Sequence, residues 1–225
     1  GLNPDAPMKD SGVEWLGQMP AHWNICPLKH LVLLKSGGTP SKERLDYWID
    51  GDVPWASAKD LKSDVLHDTI DHLTELALEE GVAEQVEAGS ALVVVRGMIL
   101  ARCFPVSVAA NPMAINQDLK AVVPKDDLVQ RYLPWLLRGT AEETLRRLDE
   151  AGHGTKALRM DAWLSMKVAV PPLDEQGGIV GKLIKRLDAT DELIAQARIA
   201  NNLLLERRVA LIAAAVTGQI DVRHA

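Results

Sequence analysis

A chain of 225 residues has room for one domain with an appendage, or for two small domains. Its 47% apolar content excludes collagen, low-complexity disorder and a small disulfide scaffold. The formal charge of −6, from 25 Lys and Arg against 31 Asp and Glu, argues against a uniformly basic surface but leaves a local basic face open.

Gly1 to Ser11 is polar and irregular, with Pro4 and Pro7, and reads as a linker or an excised boundary. Gly1 to Pro20 lacks the apolar stretch of a cleavable signal peptide. Trp15 and Trp23, in a Pro-flanked loop, read as anchors pinning an N-terminal arm, residues 1–26, to the body. From 27 to 172 the pattern is mixed. Leu31 to Leu34, Val53 to Trp55, Ala91 to Val95, Ile99 to Cys103 and Leu119 to Val123 are strand candidates. Leu128 to Leu137 and Glu142 to Leu148 are helical patches. Short strands, Gly and Pro turns and a few helices predict an α+β domain. Between Asp64 and Glu87 lie eight acids and no Lys or Arg; without them the balance is 25 bases against 23 acids. Cys26 and Cys103, far apart, fit small buried thiols of a reducing compartment.

Pro171-Pro172 closes the mixed region, and Asp174 is expected to cap a helix. From Glu175 to Thr217 there is no proline, and apolar residues recur through Val180, Leu183, Leu187, Ile194, Leu204, Leu205 and Ile212. Gly218 stands where a C-terminal cap belongs. Residues 173–218 therefore predict a long helix with a stripe that needs a second helix, as in a coiled coil, and 219–225 a tail. Gly177, Gly178 and Gly181 weaken its first turns. The most apolar part, Leu203 to Val216, is interrupted by Glu206, Arg207 and Arg208, and falls short of the roughly 18 uninterrupted residues of a membrane span.

Enzyme signatures are lacking. Ser36-Gly37-Gly38-Thr39-Pro40-Ser41-Lys42 has no Gly directly before its Lys, and Pro40 blocks the helix entry that a Walker loop needs. GxGxxG and HExxH do not occur, and six dispersed histidines predict no zinc cluster, so no cofactor or metal is expected in this chain. Asn111-Pro112 matches the opening of the amino-methyltransferase tetrad, but Met113 and Ala114 follow where its aromatic is required. Asp60-Leu61-Lys62, with Asp50 or Asp52, could be half a nuclease motif or ordinary surface charge.

Three segments are rich in groups that contact a phosphate or a base edge. They are Lys35, Ser36, Thr39, Ser41, Lys42 and Arg44; then Arg96, Arg102, Asn111, Asn116 and Gln117; then His153, Gly154, Thr155, Lys156 and Arg159. Arg and Lys address guanine, Asn and Gln adenine, and hydroxyls and amides hold phosphates. Taken alone, each of these segments reads better as a plain turn with solvated cations. Asn116 and Gln117 in particular are either base readers or caps of the turn before Leu119. Trp48, Trp55 and Trp163 are expected in packing rather than on bases.

Five ordered blocks resemble the specificity subunit of type I restriction–modification enzymes. They are MKDSGVEWLGQMPAHW (Met8 to Trp23), LKSGGTPSKERLDYWIDGDVPWASAKDL (Leu34 to Leu61), NQDLKAVVP (Asn116 to Pro124), GHGTKALRMDAWLSMKVAVPPLDEQ (Gly152 to Gln176) and LLLERRVALIAAAVTGQIDVR (Leu203 to Arg223). The resemblance implies a target-recognition domain that reads half of a split double-stranded DNA target, and a conserved helix that pairs with a second one. It implies a cytoplasmic, non-catalytic chain. Modification subunits using S-adenosylmethionine, and motor-nuclease subunits using ATP and magnesium, would assemble on it. One recognition domain and one helix imply a C-terminal half, or a half-size subunit that dimerises. The readings that remain beside it are a coiled-coil adaptor that binds protein, and a metal-dependent nuclease.

Overall fold

The computed structural model describes residues 2–152 and 154–220. The chain divides into two units, Gly1–Val180 and Gly181–Ala225.

The first unit is built on a five-stranded sheet. Its strands run, from edge to edge, Val32–Ser36, Leu119–Pro124, Ala91–Val94, Val106–Ala109 and Val65–Leu66. Ala91–Val94 is buried at every position, which is why it reads as a continuous apolar run rather than an alternating one. Leu119–Pro124 pairs with it antiparallel, Leu119 opposite Val94, and lies against Val32–Ser36 with Lys120 opposite Ser36. Leu133–Gly139 packs on Val106–Ala109. A second, four-stranded sheet orders Asp71–Leu73, Val53–Ala56, Met113–Ile115 and Gln85–Val86. Tyr47, Trp55, Leu73, Ala77 and Ala114 close its core. The acidic stretch thus supplies edge strands of both sheets, where exposed charge discourages pairing with another chain.

Three predicted details change in this unit. Ile99 to Cys103 is no strand: Met98–Ala101 forms a 3-10 turn with only Leu100 buried. A short apolar run carries no period long enough to separate strand from helical turn. Leu28–Leu31 is a helical turn, and the strand begins at Val32. Cys103 is exposed and Cys26 half-buried, so neither is the fully buried thiol expected.

The N-terminal arm is more structured than its composition suggests. Met8–Asp10 and Gln18–Pro20 form a two-stranded sheet, and Asn24–Pro27 pairs with Lys167–Val170. One carboxylate gathers the arm: Glu175 accepts bonds from Leu2 N at 2.8 Å and Trp23 Nε1 at 2.9 Å, and His22 Nε2 lies 2.8 Å from it. Next to it, Gln176 is fully buried. It accepts from Val129 N at 2.8 Å and donates to the carbonyls of Asp127 and Pro171 at 2.9 and 3.0 Å.

Leu173–Val216 is one helix of 44 residues, about 66 Å at 1.5 Å per residue. It starts at Leu173, with the Pro172 carbonyl taking its first bonds, so Asp174 lies in the first turn rather than at the cap. There, with Glu175, it opposes the helix dipole favourably. The three glycines do not interrupt the helix. Gly218, at φ +73°, ends it: Gly218 N bonds to Ala215 O and Gln219 N to Ala214 O, the Schellman pattern. Within the second unit the large apolar residues from Leu187 to Val216 stay exposed, Leu204 at 63% and Val209 at 67%. Among the described residues, no helix is long and apolar enough to cross a membrane.

Candidate nucleic-acid interface

The register of the five-stranded sheet brings separate segments together. Ser36, Leu119 and Val94 lie at one end of their strands. The loop after Ser36, the turn before Leu119 and the connection from Val94 to Val106 therefore leave from the same end. Arg96–Gly97 continues into a three-stranded sheet with Lys156–Leu158 and Leu148–Glu150, Gly97 opposite Lys156. Lys35, Ser36, Thr39, Arg96, Arg102, Gln117 and Lys156 thus belong to connected turns although they lie over 100 residues apart. Asn111 does not join them. It follows Val106–Ala109 at that strand's other end, and its side-chain amide donates to His67 O at 3.2 Å.

The loop after Ser36 is held from below. A Cβ on Gly37 would stand 1.9 Å from Ile115 O, so only glycine fits this approach. Gly38 N donates to the same carbonyl at 3.0 Å. Trp55 Nε1 donates to Gly38 O and Trp48 Nε1 to Ser41 O, both at 3.0 Å. The two indoles meet edge to face at 5.1 Å. Both therefore serve packing and loop support, and Trp163 is fully buried against Phe104. The Thr39 hydroxyl donates to Gln117 Oε1, which fixes the plane of an exposed amide. Asn116 is buried instead. Its Oδ1 accepts from Asp118 N at 3.1 Å, so its amide serves the turn before Leu119.

The cations fall into two groups. Among the described residues, Lys35, Lys42, Arg96 and Arg102 are exposed and carry no ion pair. Arg44 grips Asp46 with two bonds, Nε to Oδ1 at 2.9 Å and Nη2 to Oδ2 at 2.6 Å. It also lies 3.5 Å from Glu80, with its guanidinium 4.3 Å above the Tyr47 ring. The bond to Asp46 raises the Arg44 pKa further, and the same bond holds the Asp46 carboxyl below its usual range. Lys156 pairs with Glu150 at 2.7 Å, which lowers the Glu150 pKa, and Arg159 lies 3.6 Å from Asp149. Ser41 is exposed and Thr155 half-buried; His153 lies outside the described residues.

One residue was missed. Lys120 Nζ donates to Ser36 Oγ at 2.7 Å beside Lys35. Its signal was its place between the buried Leu119 and Ala121, where strand alternation turns it outward. Asp60, half of the supposed nuclease motif, is buried. It accepts from Ser57 N at 2.9 Å, Ser57 Oγ at 2.8 Å and Ile70 N at 3.1 Å, so its carboxylate builds a turn. Of the pairing residues, Val180 is only 4% exposed and belongs to the first unit. Leu183 is half-buried, and Leu187, Ile194, Leu204, Leu205 and Ile212 are exposed at 38 to 63%.

The family model described as type I restriction modification DNA specificity domain matches residues 20–201, which covers both the sheet-end loops and most of the helix. The chain belongs to that family. Among relatives of this specificity domain, the type I restriction enzyme EcoR124I/EcoR124II specificity subunit of Escherichia coli is 29% identical over 160 residues, 71% of this chain and 39% of its own. The MjaIX specificity subunit of Methanocaldococcus jannaschii is 28% identical over 193 residues, 84% of this chain and 42% of its own. The chain thus spans about two fifths of the length of these relatives. In fold it is similar to the HsdS subunit from Thermoanaerobacter tengcongensis, with a TM-score of 0.58 at 18% identity over 83% of this chain and 41% of that one. A chain from work on complex assembly and conformational transition of the type I R-M system gives 0.63 at 18% identity, over 89% and 46%. Both likenesses establish the fold: a mixed α and β specificity domain followed by a long helix.

Proposed function

We propose that this chain reads one half of a split double-stranded DNA target through the loops at the end of its five-stranded sheet. What supports this is the convergence of loop 36–44, Arg96–Arg102, Gln117 and the Lys156 strand, with unpaired cations beside an oriented Gln117 amide. Lys35, Lys42, Arg96 and Arg102 suit phosphates, and Gln117 suits an adenine edge. Asn116, spent on its own turn, takes no part in reading. The exposed residues of Leu183 to Ile212 pair with a second helix of the same kind, from another recognition half or a second copy. The paired helices carry the modification and motor subunits, which hold S-adenosylmethionine, ATP and magnesium. The chain itself performs no methyl transfer or cleavage.

The test is to express the chain with modification subunits in cells and sequence the methylated sites. A defined split motif is expected, changed or lost on Gln117→Ala. Methylation without any motif, or at a motif indifferent to every one of these loops, would overturn the reading.

A further inference from the structure

Exposed ion pairs contribute only about 0–1 kcal/mol to stability, so stability gives little reason for them to recur among the recognition segments. Yet three cations of the recognition segments are each met by nearby acids. Arg44 is met by Asp46 and Glu80, Lys156 by Glu150, and Arg159 by Asp149. The contacts copy phosphate recognition. Asp46 offers two oxygens to the Arg44 fork, and Glu150 puts one oxygen 2.7 Å from the ammonium. The acids are themselves open to water, with Glu150 81% and Asp149 63% exposed, so a phosphate can replace them without unfolding anything. Arg44 stays in place when its acids leave, because the Tyr47 ring still supports it from below. Tyr47 in turn donates its hydroxyl to Glu80, which anchors the competing carboxylate.

We propose that Asp46, Glu80, Asp149 and Glu150 are built-in competitors for DNA phosphate, which withhold Arg44, Lys156 and Arg159 from non-cognate duplex and so raise sequence discrimination. The inference rests on the DNA-reading role proposed above. Non-specific affinity comes almost wholly from phosphate contacts. Lys35, Lys42, Arg96 and Arg102 carry that encounter, and the masked cations engage only when base contacts hold the duplex close enough to displace the acids. Removing an acid should therefore strengthen binding to the wrong sequence.

The experiment measures binding of a random-sequence duplex, across a salt series, to the full chain and four variants. Glu150→Gln is expected to bind about two- to fivefold tighter at low salt. Its salt slope should steepen by about one unit, one more phosphate being neutralised. Lys156→Ala combined with Glu150→Gln should bind no tighter than Lys156→Ala alone. Glu84→Gln, which removes an acid that meets none of these cations, sets the gain from net charge alone. A Glu150→Gln gain no larger than that of Glu84→Gln, or one that survives loss of Lys156, overturns the proposal. Duplex binding by none of these proteins at any salt overturns the DNA-reading role itself.

Discussion

A methyl group on Gly37 would meet the Ile115 carbonyl oxygen at 1.9 Å, deep inside contact distance, and the obstacle is backbone that cannot swing away. Gly37→Ala should cost about 1–3 kcal/mol by forcing the loop off the four-stranded sheet, read as a lower urea midpoint. The same variant should weaken duplex binding, because Thr39 and Gln117 lose their relative placement. The loop's chemistry was legible in the sequence, since Gly, Thr and Ser beside Lys and Arg stand out in any turn. Its support was not. Trp48 and Trp55 announce burial, but nothing in their spacing says that their N–H groups reach Ser41 and Gly38. Likewise Asn116 and Gln117 are neighbours with the same functional groups. Only the register places one amide in the turn and leaves the other outside.

At the level of elements, the helix was the most legible part. A run of 44 residues without proline, a recurring apolar stripe and a terminal glycine specify it from local information. Strand Ala91–Val94 was legible for the same reason, four buried residues in a row. Short elements were not: the turn at Met98–Ala101 and the helical turn at Leu28–Leu31 are decided by what packs on them. The exposed stripe leads to a prediction. Burying a leucine contributes about 1.5–3 kcal/mol, so the chain should self-associate or capture a second helix, and Leu204→Asp should abolish that association in light scattering. A second prediction concerns the arm. Burial pushes the Glu175 carboxyl up, but bonds from Leu2 N, His22 and Trp23 outweigh it and hold the pKa below its ordinary value. A depressed folded pKa means the latch is fully present above the ordinary glutamate range and is lost as pH falls through the folded value. Protection of the Leu2 amide and the Trp23 indole N–H from hydrogen exchange, taken relative to free-chain exchange at each pH, should be steady near neutral pH and fall in acid. Glu175→Gln should remove that dependence.

On the proposed reading, the chain combines one recognition surface with one helix whose exposed apolar stripe calls for a partner. If the partner is a second copy, two-fold symmetry presents the same surface twice, and the mapped motif should be a symmetric split sequence. If it is a different recognition half, the two parts of the motif should differ. The net charge of −6 adds to this picture rather than opposing it. The acids of the stretch 64–87 mostly flank the short edge strands Val65–Leu66, Asp71–Leu73 and Gln85–Val86, where charge discourages pairing strand to strand. The way the first unit is stitched has a consequence for its synthesis. Asn24–Pro27 waits for Lys167–Val170, and Leu2 waits for Glu175, 173 residues later. At about 5–20 residues per second, the arm emerges from the ribosome roughly 7–35 seconds before its partners. Through that interval Trp23 and the strand edge at Asn24–Pro27 stand open, so this is the stage at which the nascent chain depends most on chaperones and is most easily cut by proteases.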